Sequence, residues 1–314
     1  MTTSTSSGTQ GICAPDPAVQ LDIDVVVVSY NSRAHLRPCV ADLAELDGVS
    51  VFVVDSDSTD GSLETIEDLP VTVVPLGVNR GFGYGCNVGW RAGGAAYVLF
   101  LNPDARLDRT SLARLASVLD EEASIGAVAP RVDDPDGALD FSLRRFARLR
   151  STYARAVFLH RIVPHASWSD ELIRDERAYC QAHDAEWVSG ACILVRRRAL
   201  EAIEGLDEGF FLYREDMDLC RRLLEHGFRV RFEPAARAVH AGGASAPRTR
   251  LYPVLAASRV RYARKHHRRL VAELERGGVA LEALTHMVAC KGGREARLGH
   301  AAAFRAAVRA RAHD

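Results

Sequence analysis

Three carboxylates crowd the start of one helical stretch, in FFLYREDMDLCRRLLE from residue 210. A helix N-terminus favours ionised carboxylates, which suits a general base. Asp218 and Arg222 stand four apart and pair along one face, a structural job that leaves Glu215 and Asp216 for chemistry. Ordinary helix-end acidity is an equal alternative. A second carboxylate closes the apolar run YVLFL, which stops at Asn102-Pro103-Asp104. A buried strand delivering a carboxylate at its C-terminal end is how an open α/β sheet builds a ligand crevice. Asp104 with Asn102 suits a divalent cation holding a diphosphate, since Mg²⁺ and Mn²⁺ take oxygen ligands. His240 ends a short apolar run before Ala241-Gly242-Gly243. Its imidazole could complete a metal shell, Mn²⁺ tolerating nitrogen better than Mg²⁺, although a lone histidine there is more often structural.

Other segments offer recognition rather than reaction. Asp55 follows a buried run and can accept from a base N–H or a ribose hydroxyl, or can serve its own turn beside Asp57, Thr59 and Asp60. In WVSGAC, Gly190 and Ala191 let an acceptor lie against backbone. Trp187 either stacks on a sugar or fills core. Gly81, Gly83, Gly85 and Gly89 permit close approach of backbone to a ligand. The GxGxG among them follows the third predicted strand, and the first strand runs into SYNS without glycine, so a dinucleotide fingerprint is excluded. No histidine stands where it could activate a cysteine.

The elements that position these residues alternate. Strands are predicted at 23–28, 49–54, 71–74, 96–101 and 125–129. Helices fall between them, one with Pro38 in its first turn and one capped by Thr59 with Asp60 in its first turn. This is the rhythm of a three-layer α/β domain. Asp136-Gly137 then turns the chain toward a short strand at 138–143. Residues 144–183 are rich in arginine, aromatics and histidine, with poor periodicity, and read as an irregular excursion covering a pocket, a lid if it moves. Order returns at 187–195, with helices at 198–203 and 215–225 and short strands at 229–232 and 236–240. From 249 the chain reads helical to about 274, and two more helical stretches follow after Gly278.

Composition bounds the function. The 314 residues carry a net charge of -1, so nothing pulls the whole chain toward nucleic acid. Seven cysteines without a CxxC pair suit a reduced, cytoplasmic protein. Residues 1–20 read as a disordered leader, and no apolar run is long enough to cross a membrane. Six of the eleven residues from Arg259 to Arg269 are arginine or lysine. That block is a solvated face, a contact with anionic lipid at the inner face of the plasma membrane, or a partner site.

Taken in order, VVVVSYNS at 25–32, VVDSDSTDGS at 53–62, GVNRGFGYGCNVG at 77–89, FLNPD at 100–104, WVSGACILVRR at 187–197, GLDEGFFLYREDMDLCRRL at 205–223 and VHAGGAS at 239–245 resemble a family 2 glycosyltransferase of the GT-A fold. The resemblance is to its rhamnosyltransferase-like branch and spans residues 23–269. It implies a Rossmann-like three-layer α/β/α domain over 21–245, with a mostly parallel central sheet, and a helical extension over 246–314. Residues 21–130 would bind the nucleotide sugar and 131–245 the acceptor. It implies inverting transfer from a nucleotide-diphosphate sugar, dTDP-rhamnose or a UDP-sugar, to a saccharide, lipid-linked saccharide or natural product. Asp216 would be the base, with Glu215 beside it. Asp104 and His240 would hold Mg²⁺ or Mn²⁺. Ser29, Asn31, Asp55, Asn79, Gly81, Phe82, Asn87, Asn102, Asp104, Arg144 and Arg145 would line the donor, and Trp187, Gly190 and Ala191 the acceptor. Asn102 replaces the first acid of the usual DxD motif, and Ser56 stands where relatives often carry Asn. A homodimer is left open. A non-catalytic module of the same fold would need none of Asp104, Asp216 and His240. A nucleotidyltransferase would carry a glycine-rich basic loop where SYNSRAHLR stands.

Overall fold

A computed structural model describes residues 20–242, 248–290 and 292–310. The expected leader and the end of the VHAGGAS segment lie outside the described residues. The run IDVVVVS forms β1 (Ile23–Ser29), buried at every position. A central parallel strand is covered on both faces and must be apolar throughout. β2 (Val49–Asp55) and β4 (Tyr97–Leu101) flank it in parallel, with β3 (Thr72–Pro75) beyond β2. Side chains alternate between faces. Val25, Val27, Val53 and Leu99 meet α1 (Leu36–Ala44) and α3 (Arg109–Glu121) on one side. Val26, Val28, Val54 and Phe100 meet α2 (Phe82–Ala92) and α7 (Glu215–Glu225) on the other. Pro38 does lie in the first turn of α1. Thr59 caps nothing: the helix near it is a single 3₁₀ turn, Leu63–Ile66, preceded by Ser62.

The sheet runs β3-β2-β1-β4-β10-β6-β11-β5, with β8 (His183–Asp184) paired to β11. β6 (Ile125–Asp133) and β11 (Arg229–His240) are parallel, and β10 (Cys192–Arg196) enters antiparallel between β4 and β6. α6 (Arg197–Ala202) follows β10 directly. The two short strands expected over 229–240 are one strand with a register shift between Glu233 and Arg237. Pro234, which has no N–H to give, sits in that irregularity. β5 (Ala105–Leu107) pairs with the end of β11 and so brings His240 opposite Ala105.

The strand expected at 138–143 is only an isolated bridge from Leu139 to Asp133. After it, β7 (Leu143–Arg144) pairs with β9 (Trp187–Val188) in a separate ribbon. Residues 144–183 contain α4 (Leu149–Ala156) and α5 (Leu159–Ile162), and they are tied down. The Tyr179 hydroxyl accepts from the Leu143 N–H at 2.9 Å and donates to the Ile173 carbonyl at 3.1 Å. Glu171 grips Arg214 through both carboxylate oxygens, at 2.7 and 3.2 Å. These ties fasten the excursion to the rest of the domain.

The predicted helix from 249 breaks after His266. α8 (Arg248–His266), α9 (Arg269–Ala289) and α10 (Gly293–Arg309) share a small core of Ala256, Val260, Val279, Ala283, Ala303 and Ala307. α9 continues through Gly277-Gly278. A Cβ on Gly278 would stand 2.6 Å from Thr152 Cγ2, so that glycine is where α9 crosses α4.

Candidate active site

The C-terminal ends of the parallel strands converge. Ser29 and Asp55 stand opposite each other in register, and the Ser56 N–H donates to the Ser29 carbonyl at 2.8 Å. Asp55 Oδ2 accepts from the Ser58 N–H at 3.0 Å, while Asp55 Oδ1, Ser29 Oγ and Ser56 Oγ are buried without a partner. Three unpartnered polar atoms in one place mark a polar seam under the ends of β1 and β2.

At the end of β4 the chain turns through Asn102-Pro103-Asp104. The turn is pinned from both sides: the Asn102 N–H donates to the Ala191 carbonyl at 2.9 Å, and the Ala241 N–H to the Asp104 carbonyl at 3.0 Å. His240 Nε2 lies 3.3 Å from Asp104 Oδ1 and 3.3 Å from Asn102 Nδ2. Its Nδ1 lies 3.5 Å from Asp140 Oδ2. Burial opposes a charged ring, but Asp104 and Asp140 outweigh it and raise the His240 pKa to about 9. Burial likewise works against the Asp104 carboxylate, and His240 draws it below its ordinary value.

A metal would find a carboxylate and an imidazole already in contact, with a second carboxylate behind the ring to orient it. Among the described residues no group of three histidine, cysteine or acidic side chains is placed to hold a metal. The donor set therefore fits a cation that takes its remaining ligands from water and a bound diphosphate, as Mg²⁺ and Mn²⁺ do.

One residue beyond the turn's partner Ala191, the Gly190 N–H donates to Asp216 Oδ2 at 3.1 Å. Asp216 Oδ1 accepts from the Met217 N–H at 2.8 Å. A Cβ on Gly190 would approach the Asp216 Cβ to 3.1 Å, so glycine sets how closely the carboxylate docks. Asp216 is half-buried and raised in pKa by burial, against the two N–H donors and the charge of Arg144. Glu215 is buried outright, with Oε2 unpartnered, and burial raises it to about 8. Tyr213 and Arg214, at φ 68° and 74°, turn the chain sharply into α7. Left-handed backbone at two successive non-glycine residues is costly and persists only where packing imposes it. The Glu171–Arg214 pair anchors the side chain of the second of them.

Asp104, His240, Asn102, Ala191, Gly190 and Asp216 are thus linked through a short chain of contacts, and Asp140 joins them unannounced by any motif. Several expected donor contacts are engaged elsewhere. Asn87 Oδ1 accepts from the Leu206 N–H and the Trp90 indole, and its Nδ2 donates to the Leu206 carbonyl and Glu208, so its side chain is spent on the 206–208 turn. Asn31 accepts from the Thr59 N–H, and Asn79 from the Gly81 N–H. Phe82 donates its N–H to the Phe211 carbonyl, and a Cβ on Gly81 would stand 2.3 Å from that oxygen. Gly85 and Gly89 press on Val28 and Val26 of β1. These glycines bring helix to sheet, not backbone to ligand. Trp187 is core, 5% exposed, its indole donating to the Arg145 carbonyl at 2.9 Å. The Arg144 guanidinium lies over that ring at 5.4 Å and its charge reaches Asp216 and Asp140. Arg145 contributes backbone bonds to Glu171 and Trp187.

The basic block also points inward. Arg259 bonds Glu282, Arg261 and Lys265 bond Asp207, and Lys265 and His266 join Arg222 on Asp218. The lipid contact expected there loses most of its charge to these pairs. The six described cysteines are free thiols, four of them buried. No described helix is long and apolar enough to cross a membrane.

The family model for glycosyl transferase family 2 matches residues 24–204, more than half of the chain. The chain belongs to that family. It is similar to the N-acetylglucosaminyl-diphospho-decaprenol L-rhamnosyltransferase of Mycobacterium tuberculosis, 33% identical over 69% of this chain and 75% of the relative. It is also similar to rhamnosyltransferase WbbL of Escherichia coli, 26% identical over 69% and 82%. Among solved structures it resembles the mannosyltransferase PcManGT from Pyrobaculum calidifontis in complex with GDP-Man and Mn²⁺, with TM-score 0.56 and 18% identity over 95% of this chain and 89% of that one. The family 2 glycosyltransferase described here thus has the GT-A fold and sits with rhamnosyltransferase-like relatives.

Proposed function

We propose that this glycosyltransferase moves a hexose, rhamnose in the first place, from a nucleoside-diphosphate donor to a hydroxyl of a saccharide carried on a lipid diphosphate, with inversion. The observation that carries the reading is the linkage of the Asn102–Asp104 turn to His240 on one side and, through Ala191 and Gly190, to Asp216 on the other. The named activities of the two rhamnosyltransferase relatives support the choice of sugar and, for the mycobacterial one, of acceptor.

In this reading the base and ribose lie against the ends of β1 and β2, at Ser29, Asp55 and Ser56. Asp104 and His240 hold a divalent cation. When bound, that ion supplies positive charge to the departing diphosphate. Asp216 receives the proton of the acceptor hydroxyl as its oxygen attacks the anomeric carbon, and the C–O bond to the nucleotide breaks on the opposite face. The Gly190 N–H aims one oxygen of Asp216 and leaves the half-buried side open. Arg144 brings a cation beside the base and the incoming phosphates.

The deciding test separates binding from turnover. Asp216→Asn should lower kcat by about 10²–10⁴-fold while donor affinity in Mn²⁺ stays put. Equal turnover would remove Asp216 from the reaction. A thermal-shift panel of dTDP-rhamnose, UDP-hexoses and GDP-mannose, each with and without Mn²⁺, ranks the donors by the stabilisation that binding confers. A UDP-sugar at the head of that ranking overturns rhamnose.

A further inference from the structure

α9 carries aliphatic residues on two faces. One meets α8 and α10 through Val279 and Ala283. The other is open to solvent: Leu270 and Val288 are each 74% exposed, Leu274 43%, Leu284 41% and Leu281 36%, with Gly277 also exposed. Taken as 270, 274, 277, 281, 284 and 288, the row advances by four, three, four, three and four residues. That is the spacing of a coiled-coil seam, the period that keeps side chains aimed at one partner helix. A contiguous row of large aliphatics on a soluble surface marks association. Tyr153 and Val157 of α4, both exposed, border it, and the Tyr153 hydroxyl donates to the Leu274 carbonyl at 3.0 Å.

The row reads the same from either end, centred on position 279. A second α9 laid antiparallel therefore meets Leu270 with Val288, Leu274 with Leu284, and Leu281 with Gly277. The last pair sets Leu281 beside Gly277, where the Tyr153 hydroxyl stands 3.5 Å from the place a Cβ would take, once on each side of the axis. A two-fold interface must be self-complementary, each residue meeting its mirror position, and this row satisfies that condition at all six positions. A helix lying on lipid is flanked by lysine and arginine. The six positions that flank this row at heptad spacing are Val271, Glu273, Gly278, Ala280, Thr285 and Met287. We propose that the exposed face of α9 is the seam of a homodimer, formed by antiparallel packing of α9 against the same helix of a second copy of this chain. None of the seam residues belongs to the strand-end cluster, so both active sites stay open.

Sedimentation equilibrium should give a dimer for the wild-type chain. Leu281→Glu should weaken it by about a hundredfold or more, with turnover and circular dichroism unchanged. The register is tested in a background with Cys13, Cys180 and Cys290 replaced by serine. A mixture of Leu274→Cys and Leu284→Cys chains should cross-link with a short bis-maleimide, and neither alone should. Self-cross-linking of Leu274→Cys would show parallel packing and overturn the proposal. So would a wild-type monomer at every concentration, including one that instead sediments with anionic phosphatidylglycerol vesicles in a Leu281-dependent way.

Discussion

Asp216 and Glu215 are neighbours in sequence with different surroundings. Asp216 reaches a half-open position and takes two backbone N–H bonds, while Glu215 is enclosed, with one oxygen unpartnered. Glu215 has an ordinary value of 4.5 and about 8 in the fold. The folded state therefore binds the extra proton between those values, and stability falls as pH rises from 4.5 to about 8. Glu215→Gln should melt above the wild type at pH 8, with the gap closing toward pH 4.5, which a Tm series across pH reads directly. The raised Asp216 carboxyl acts on rate instead: as a base it must be ionised, so kcat should fall on the acid side at a higher pH than an ordinary aspartate allows. The positions of Asp104, Asp216 and His240 at strand ends and a helix start were legible in the sequence, while their proposed roles rest on the family resemblance. Asp140 was not legible, since it lies inside the segment expected as a short strand at 138–143 and meets His240 one hundred residues later. Asn87 misled for a related reason: its partner Leu206 is 119 residues away, and an amide's use cannot be told from its type.

At the scale of elements, α2 shows how a glycine-rich stretch deceives. Its glycines look made for a ligand, yet a Cβ on Gly89 would stand 2.3 Å from Val26 Cγ1 and 3.1 Å from Val54 Cγ2. Gly89→Ala should cost about 1–3 kcal/mol by overpacking, visible as a lower denaturation midpoint with little change in donor affinity. Residues 144–183 show how order can lack a local pattern. Aperiodic sequence read as an irregular excursion, and its order comes from polar ties such as Glu171 to Arg214, both nearly buried. Removing one partner leaves the other charged and unpaired. Glu171→Ala should therefore cost about 3–5 kcal/mol, and it should also lower kcat, because Arg214 no longer steadies the left-handed turn ahead of Asp216.

Across the whole molecule, three buried carboxylates paired with basic side chains share one direction. Burial works against Glu171, Glu282 and Asp218, but arginine, lysine and histidine partners hold each down to about 2. A carboxyl depressed by folding stabilises the protein above its unfolded value, and that support drains away as pH falls through the folded one. Acid unfolding should accordingly steepen between pH 4 and about 2, the window set by these three groups; a midpoint that stays flat there would contradict the assignment. The three-layer architecture was readable from the strand and helix alternation as far as β6. Beyond it the periods shorten and the order of strands is decided by pairing, which no local pattern reports. The most consequential example is β10, delivered late in the chain and seated in the middle of the sheet between β4 and β6. Until residues 192–196 leave the ribosome, two apolar strands stand with naked edges. A nascent chain at that stage is a client for chaperones, and a truncation ending near residue 190 should gather into aggregates where the finished enzyme stays dispersed.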